Sequence, residues 1–201
     1  MNNSGSVPAW HPLVRALHWL MAAAIAGNLA IGLVMSRAAE AARDTGAFDA
    51  RVFGMGLFES YQLHKSVGVL LLALVVLRLG VRLATRAPDA RHASPTLQRA
   101  ARVVQTLLYA LMITLPATGW LLASSAVIGL TTVVFGIFPL PDLVARDPNL
   151  EAWFGWLHRI LAWALAGLAL LHTAAALKHH FIDRDETLRA MLRSRRLRKR
   201  P

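Results

Sequence analysis

Charged residues fall in bands along this chain, and the intervals between the bands are long and apolar. No Asp, Glu, Lys or Arg occurs from Ala16 to Ser36 (21 residues), from Val103 to Pro141 (39 residues) or from Ile160 to Leu177 (18 residues). A helix crosses a bilayer core with about 20 mostly apolar residues. The first run predicts one span. The third predicts another once its flanks are included, from near Trp153 to near His180. The 39-residue run is too long for a single span. It predicts a helix over about Val103–Ala123, with Pro116 and Gly119 as kink points. Its remainder, Ser124–Leu140, reads as an interfacial or partly re-entrant segment.

One more span is less regular. Only 12 uncharged residues separate Lys65 from Arg78. Extension to Leu63–Leu83 gives a crossing length but places Lys65, Arg78 and Arg82 on the helix, where each must snorkel or find a partner. The expected fold is an all-α integral membrane four-helix bundle. Its spans lie near 13–36, 63–83, 103–123 and 153–180, inside a membrane domain at 13–183. A short disordered lead-in at 1–12 precedes that domain and a basic tail at 184–201 follows it.

Composition supports this reading. Hydrophobic residues make up 56% of the 201, charged residues only 16%, and the mean hydropathy is +0.46, which excludes a disordered chain and argues against an ordinary soluble domain. The net charge of +11 leaves membrane protein or nucleic-acid binder open until its distribution is considered. Six arginines lie between Arg78 and Arg102, and nine Lys and Arg lie from Lys178 onward. The first loop, Arg37–Ser60, balances three arginines against four acids, and the third holds Arg146 among Asp142, Asp147 and Glu151. The positive-inside rule then puts the second loop and both termini in the cytoplasm, N-in and C-in. The basic tail directly follows a span, so it serves as an orientation signal or headgroup contact before nucleic acid need be invoked. A cleaved signal peptide is disfavoured, because the first apolar stretch is longer than such segments and carries His18.

The chain has no cysteine, which removes disulfides, thiolate metal sites, iron–sulfur clusters and covalently attached c-type haem. Its eight histidines are the remaining candidate ligands. His11 and His92 lie outside the spans and read as solvated. His158 and His172 are 14 residues apart on the last span, nearly four turns, so they share a face about 21 Å apart along the axis. His18 starts the first span on the cytoplasmic side, and His64 starts the second on the periplasmic side. Matching by depth pairs His18 with His172 and His64 with His158. Haem takes two axial ligands from opposite faces, and facing helices of a bundle supply them. Two such haems across a bilayer make an electron path. Interhelical hydrogen bonding by structural histidines and proton or metal transport are the alternatives at this point. A zinc site would want a third or fourth ligand at the same depth, and none is apparent beside His64 and His158.

Nearby cations fit the haem reading. Arg78 shares a face with His64 but sits at the opposite end, level with the inner pair. Arg15 lies one turn before His18, and Lys65 and Arg159 flank the outer histidines. Propionates are anionic, so Arg15, Lys65 and Arg78 are candidate propionate partners. Snorkelling and orientation account equally well for Arg82 and Arg159. His179, seven residues after His172, continues the same face and is a candidate quinone contact; a headgroup-facing histidine is the plainer reading. His180 points elsewhere on the helix.

Three pieces carry a family resemblance: RALHWLMA (Arg15–Ala22), LHKSVGVLLLALVVLRLGVRL (Leu63–Leu83) and LHRILAWALAGLALLHTAAALKHHFIDRDETLRAM (Leu157–Met191). The chain resembles bacterial cytochrome b561 over nearly its whole length, with the third span and Ser124–Leu140 matching weakly. The resemblance implies a four-helix protein of the bacterial inner membrane with two non-covalent b-type haems, exchanging electrons with membrane quinone. His18, His64, His158 and His172 would be the iron ligands and His179 would approach quinone. For some members the resemblance also implies superoxide oxidation at the periplasmic face. No side chain stands out as a nucleophile or general base. The expectation is thus electron transfer between a periplasmic-side donor and quinone. The rivals are a haem-bearing cytochrome b anchor subunit for a soluble dehydrogenase or hydrogenase, and a non-redox transporter.

Overall fold

The computed structural model describes residues 10–46, 49–85 and 95–192. Most of the expected lead-in, His92 and the tail beyond Leu192 lie outside the described residues. The long helices are α1 (Pro12–Thr45), α2 (Leu57–Ala84), α3 (Pro95–Ser125) and α4 (Pro148–Phe181). A two-stranded hairpin, β1 (Arg51–Val52) with β2 (Met55–Gly56), precedes α2, and another, β3 (Val133–Val134) with β4 (Phe138–Pro139), lies between α3 and α4. A short helix α5 (Thr187–Leu192) follows α4. One end of the bundle carries both hairpins. The other carries Trp10 and α5. These are called the hairpin end and the terminal end.

All four long helices are apolar and long enough to cross a membrane. Only 6–11% of the residues in their most hydrophobic stretches are buried within the protein, so most of the apolar surface faces outward, as lipid rather than water requires. The helices outrun the expected spans because their ends are well capped or helix-favouring. Asp147 accepts from the Asn149 and Leu150 backbone N–H groups at 2.7 and 3.0 Å, starting α4 at Pro148. Alanine-rich sequence carries α1 to Thr45, where Gly46 closes it in the left-handed conformation.

Packing runs α1 on α2, α2 on α3 and α3 on α4, an arc of neighbours. Met21, Leu71 and Val75 form its buried centre, with Val67, Tyr109, Met112 and Ile113 around them. The expected apolar segment after α3 becomes a cover over the hairpin end. Its backbone polar groups are satisfied largely from α2: Gln62 Nε2 donates to the Thr131 carbonyl (2.9 Å), and Ser66 Oγ accepts from Phe135 N–H (2.9 Å).

At the terminal end α5 is tied back to α1. Arg15 donates to the Met191 and Leu192 carbonyls (3.2 and 2.9 Å), and Trp19 Nε1 donates to the Met191 carbonyl (3.1 Å). The tail expected from residue 184 therefore begins with a docked helix.

Candidate functional site

The four span histidines meet in the two pairs that depth matching predicts. The His18 and His172 rings have centroids 6.2 Å apart with planes at 87°, and the His64 and His158 rings have centroids 6.2 Å apart with planes at 82°. The 14-residue spacing on α4 puts one member of each pair on a single helix face. Two imidazoles bonded to one metal from opposite sides at about 2 Å each place their ring centres about 6 Å apart. The observed separation fits that arrangement at both depths. Among the described residues no group of three or more His, Cys, Asp or Glu side chains is placed to hold a metal ion, so the donor set suits a metal that takes two protein ligands, as haem iron does.

The hairpin-end pair faces a cavity of about 1260 Å³ lined by residues of α1 to α4, including Asn28, Gly32, Met112, Gly119 and Trp163. Both rings are held from behind. His64 Nδ1 lies 3.2 Å from the Asn28 carbonyl, and His158 Nδ1 lies 3.1 Å from the Leu115 carbonyl and 3.3 Å from Thr118 Oγ1. Donation from Nδ1–H to these carbonyls fixes the tautomer whose Nε2 lone pair is free to bind metal. Two glycines make room: a Cβ at Gly32 would lie 2.9 Å from His64 Cε1, and one at Gly119 would lie 3.0 Å from His158 Cε1. The Asn28 Oδ1 is buried without a partner. The sequence signals none of these supporting residues, since each acts through a contact between helices rather than through a spacing along one.

The candidate cations are placed differently from one another. Lys65 lines the cavity, with its ammonium donating to the Leu130 carbonyl at 3.3 Å. Arg78 Nε donates to the Tyr109 hydroxyl at 3.1 Å, and its charge acts on both His18 and His172. Arg15 spends its donors on the carbonyls of α5. Arg159 is exposed and lies 3.6 Å from Glu40. His179 Nδ1 lies 2.8 Å from Asp185 and 3.1 Å from Asp183. Burial alone would raise the Asp185 carboxyl. The Thr187 backbone N–H at 2.9 Å and the neighbouring His179 outweigh it and hold the group below the usual carboxylate value.

Residues 9–194 match the sequence profile of the family described as prokaryotic cytochrome b561. The chain is 35% identical to "Cytochrome b561 homolog 2" of Escherichia coli K12 over 179 residues, covering 88% of this chain and 87% of that protein. It is also 29% identical to "Cytochrome b562" of Cereibacter sphaeroides over 188 residues, covering 94% and 98%. Four membrane-length helices, facing histidine pairs and this similarity along nearly the whole chain agree: the protein belongs to the prokaryotic cytochrome b561 family, membrane electron-transfer proteins that bind b-type haem.

Proposed function

We propose that the chain holds two b-type haems and carries electrons between a donor on the periplasmic side and quinone in the bacterial inner membrane. The observation that carries this is the repetition of one geometry: two histidine pairs, each with ring centroids 6.2 Å apart, at two depths of a single bundle. His64 and His158 would ligate one iron, and His18 and His172 the other. Haem supplies reversible one-electron exchange when bound. The chain supplies ligation, orientation and exclusion of water. The carbonyls of Asn28 and Leu115 orient two of the imidazoles. The cover formed by 126–141 screens the hairpin end, and α5 overlies the start of α1.

The charge distribution supports placing the hairpin end on the periplasmic side, with both termini in the cytoplasm. Superoxide is the anionic donor we favour, since Lys65 and Arg159 provide positive charge beside the outer pair. Quinone would be met at the terminal end, near His179. His179 Nδ1 lies 2.8 Å from the Asp185 carboxylate, which leaves Nε2 as the ring nitrogen that would meet a quinol hydroxyl.

The test is purification in mild detergent, a reduced-minus-oxidised spectrum and a haem-to-protein ratio. Two b-type haems per chain, reduced by superoxide and reoxidised by a short-chain quinone, are expected. A colourless protein overturns the reading, and a haem protein inert to both reagents overturns the proposed partners.

A further inference from the structure

The two hairpin-end imidazoles rest in matching clamps on different helices. On α1 the parts are the Asn28 carbonyl, 3.2 Å from His64 Nδ1, and Gly32, four residues on, where a Cβ would come within 2.9 Å of the ring. On α3 they are the Leu115 carbonyl, 3.1 Å from His158 Nδ1, and Gly119, again four residues on, where a Cβ would come within 3.0 Å. Positions four apart share a helix face, so the carbonyl receives the ring N–H while the glycine leaves space for the ring edge. Gly27, Gly68, Gly80 and Gly167 have open space where a Cβ would stand, so the close approach is particular to Gly32 and Gly119 among the glycines of the long helices' central stretches. The terminal-end pair has no counterpart. Among the described residues the ring nitrogens of His18 and His172 make no hydrogen bond, and their ring contacts are with each other and, for His18, with Trp19.

We propose that Gly32 and Gly119, each with the carbonyl one turn before it, are positioning residues that fix the hairpin-end ligands through Nδ1 and lower the midpoint potential of that site alone. This rests on the di-haem reading above. A ring N–H donated to a carbonyl gives the imidazole partial anionic character. The stronger donor stabilises the ferric state over the ferrous state. Thr118 belongs to the α3 clamp, because its hydroxyl donates to the Leu115 carbonyl at 2.8 Å and stands 3.3 Å from His158 Nδ1. Lys65 opposes the effect by favouring the reduced state, but it is unchanged when the clamp is altered. The clamp therefore reads out as a difference between variants.

The experiment is a potentiometric titration of the full-length haem-loaded protein, with haem content measured alongside. Gly32→Ala and Gly119→Ala are expected to move one midpoint upward and leave the other in place, with Gly27→Ala and Gly167→Ala moving neither. Should the alanine variants instead lose half the haem, positioning is upheld, and Thr118→Val, which exchanges the hydroxyl for a methyl group, decides the effect on potential by shifting the hairpin-end midpoint alone. Equal movement of both midpoints, movement downward in the glycine variants, or no movement in any variant overturns the proposal. Fewer than two haems in the unsubstituted protein overturns the di-haem reading itself, and that is seen before any substitution is made.

Discussion

The two histidine pairs have the same separation and nearly the same ring crossing, yet little else about them agrees. At the hairpin end both imidazoles are backed by carbonyls, pressed against glycines and enclosed by a cavity. At the terminal end the rings meet with Trp19 beside them, Arg78 nearby and α5 over the start of α1. The common part comes from α4, whose helical repeat delivers a histidine to each depth. The differing parts come from α1, α2 and α3. The ligands and the groups that back them are different residues, so on this reading one can be altered without the other.

Removal of ligands should break the comparison most severely. His64→Ala is expected to lose the hairpin-end haem and keep the other, halving the haem-to-protein ratio. His172→Ala should do the reverse, leaving a haem with a different midpoint. Identical residual spectra and potentials in the two variants would mean that the pairs are not independent. A smaller effect is expected from Arg78→Gln. A positive charge near a site favours its reduced, less positive state, so this substitution should lower the terminal-end midpoint and spare the other.

Detachment of α5 ranks next. Arg15→Ala removes donors from two carbonyls at a cost of about 1.5–3 kcal/mol for hydrogen bonds to a charged group. Faster limited proteolysis near 183–192, with both haems retained, is the expected result. The start of α5, where Asp185 accepts from the Thr187 N–H, has a pH limit. Asp185 is held below its ordinary value, so its contribution is complete above about pH 3.9, the unfolded value, and is lost only as pH falls through the lowered folded one. Protection of this segment measured across pH should persist to below pH 4; release at pH 6 would place its cause elsewhere. Smallest of all is Arg159→Ala. The Arg159–Glu40 contact is exposed at both partners, and such pairs contribute about 0–1 kcal/mol, so thermal stability should hardly move.

Much of this arrangement is legible along the chain. Uncharged runs locate the long helices, and the interval from His158 to His172, combined with charge asymmetry, is enough to pair the histidines. What stays hidden depends on contacts between distant residues. Gly32 looks like an ordinary small residue in an apolar helix, and Gly119 reads as a kink point beside Pro116. The hairpins escape notice for a local reason: their turns place Phe53 and Phe135 at φ of 50° and 49°, where asparagine or glycine would be the expected signal. The docking of α5 is equally hard to foresee, because Arg15, beside His18 in sequence, suits an anionic cofactor as well as it suits carbonyls. The expected spans stop short of the helix ends because hydropathy marks where the bilayer ends, while capping marks where the helix does.

The buried centre of the bundle has a bearing on how the protein is made. Met21, Leu71 and Val75 and the side chains around them all belong to α1, α2 and α3. No residue of α4 contributes to that interior. The first three helices hold only one partner of each histidine pair, since His158 and His172 are both on α4. Neither pair exists while the ribosome is still completing the third helix, and both come into being when the fourth arrives. On the di-haem reading, neither iron would have its second protein ligand until α4 is in place.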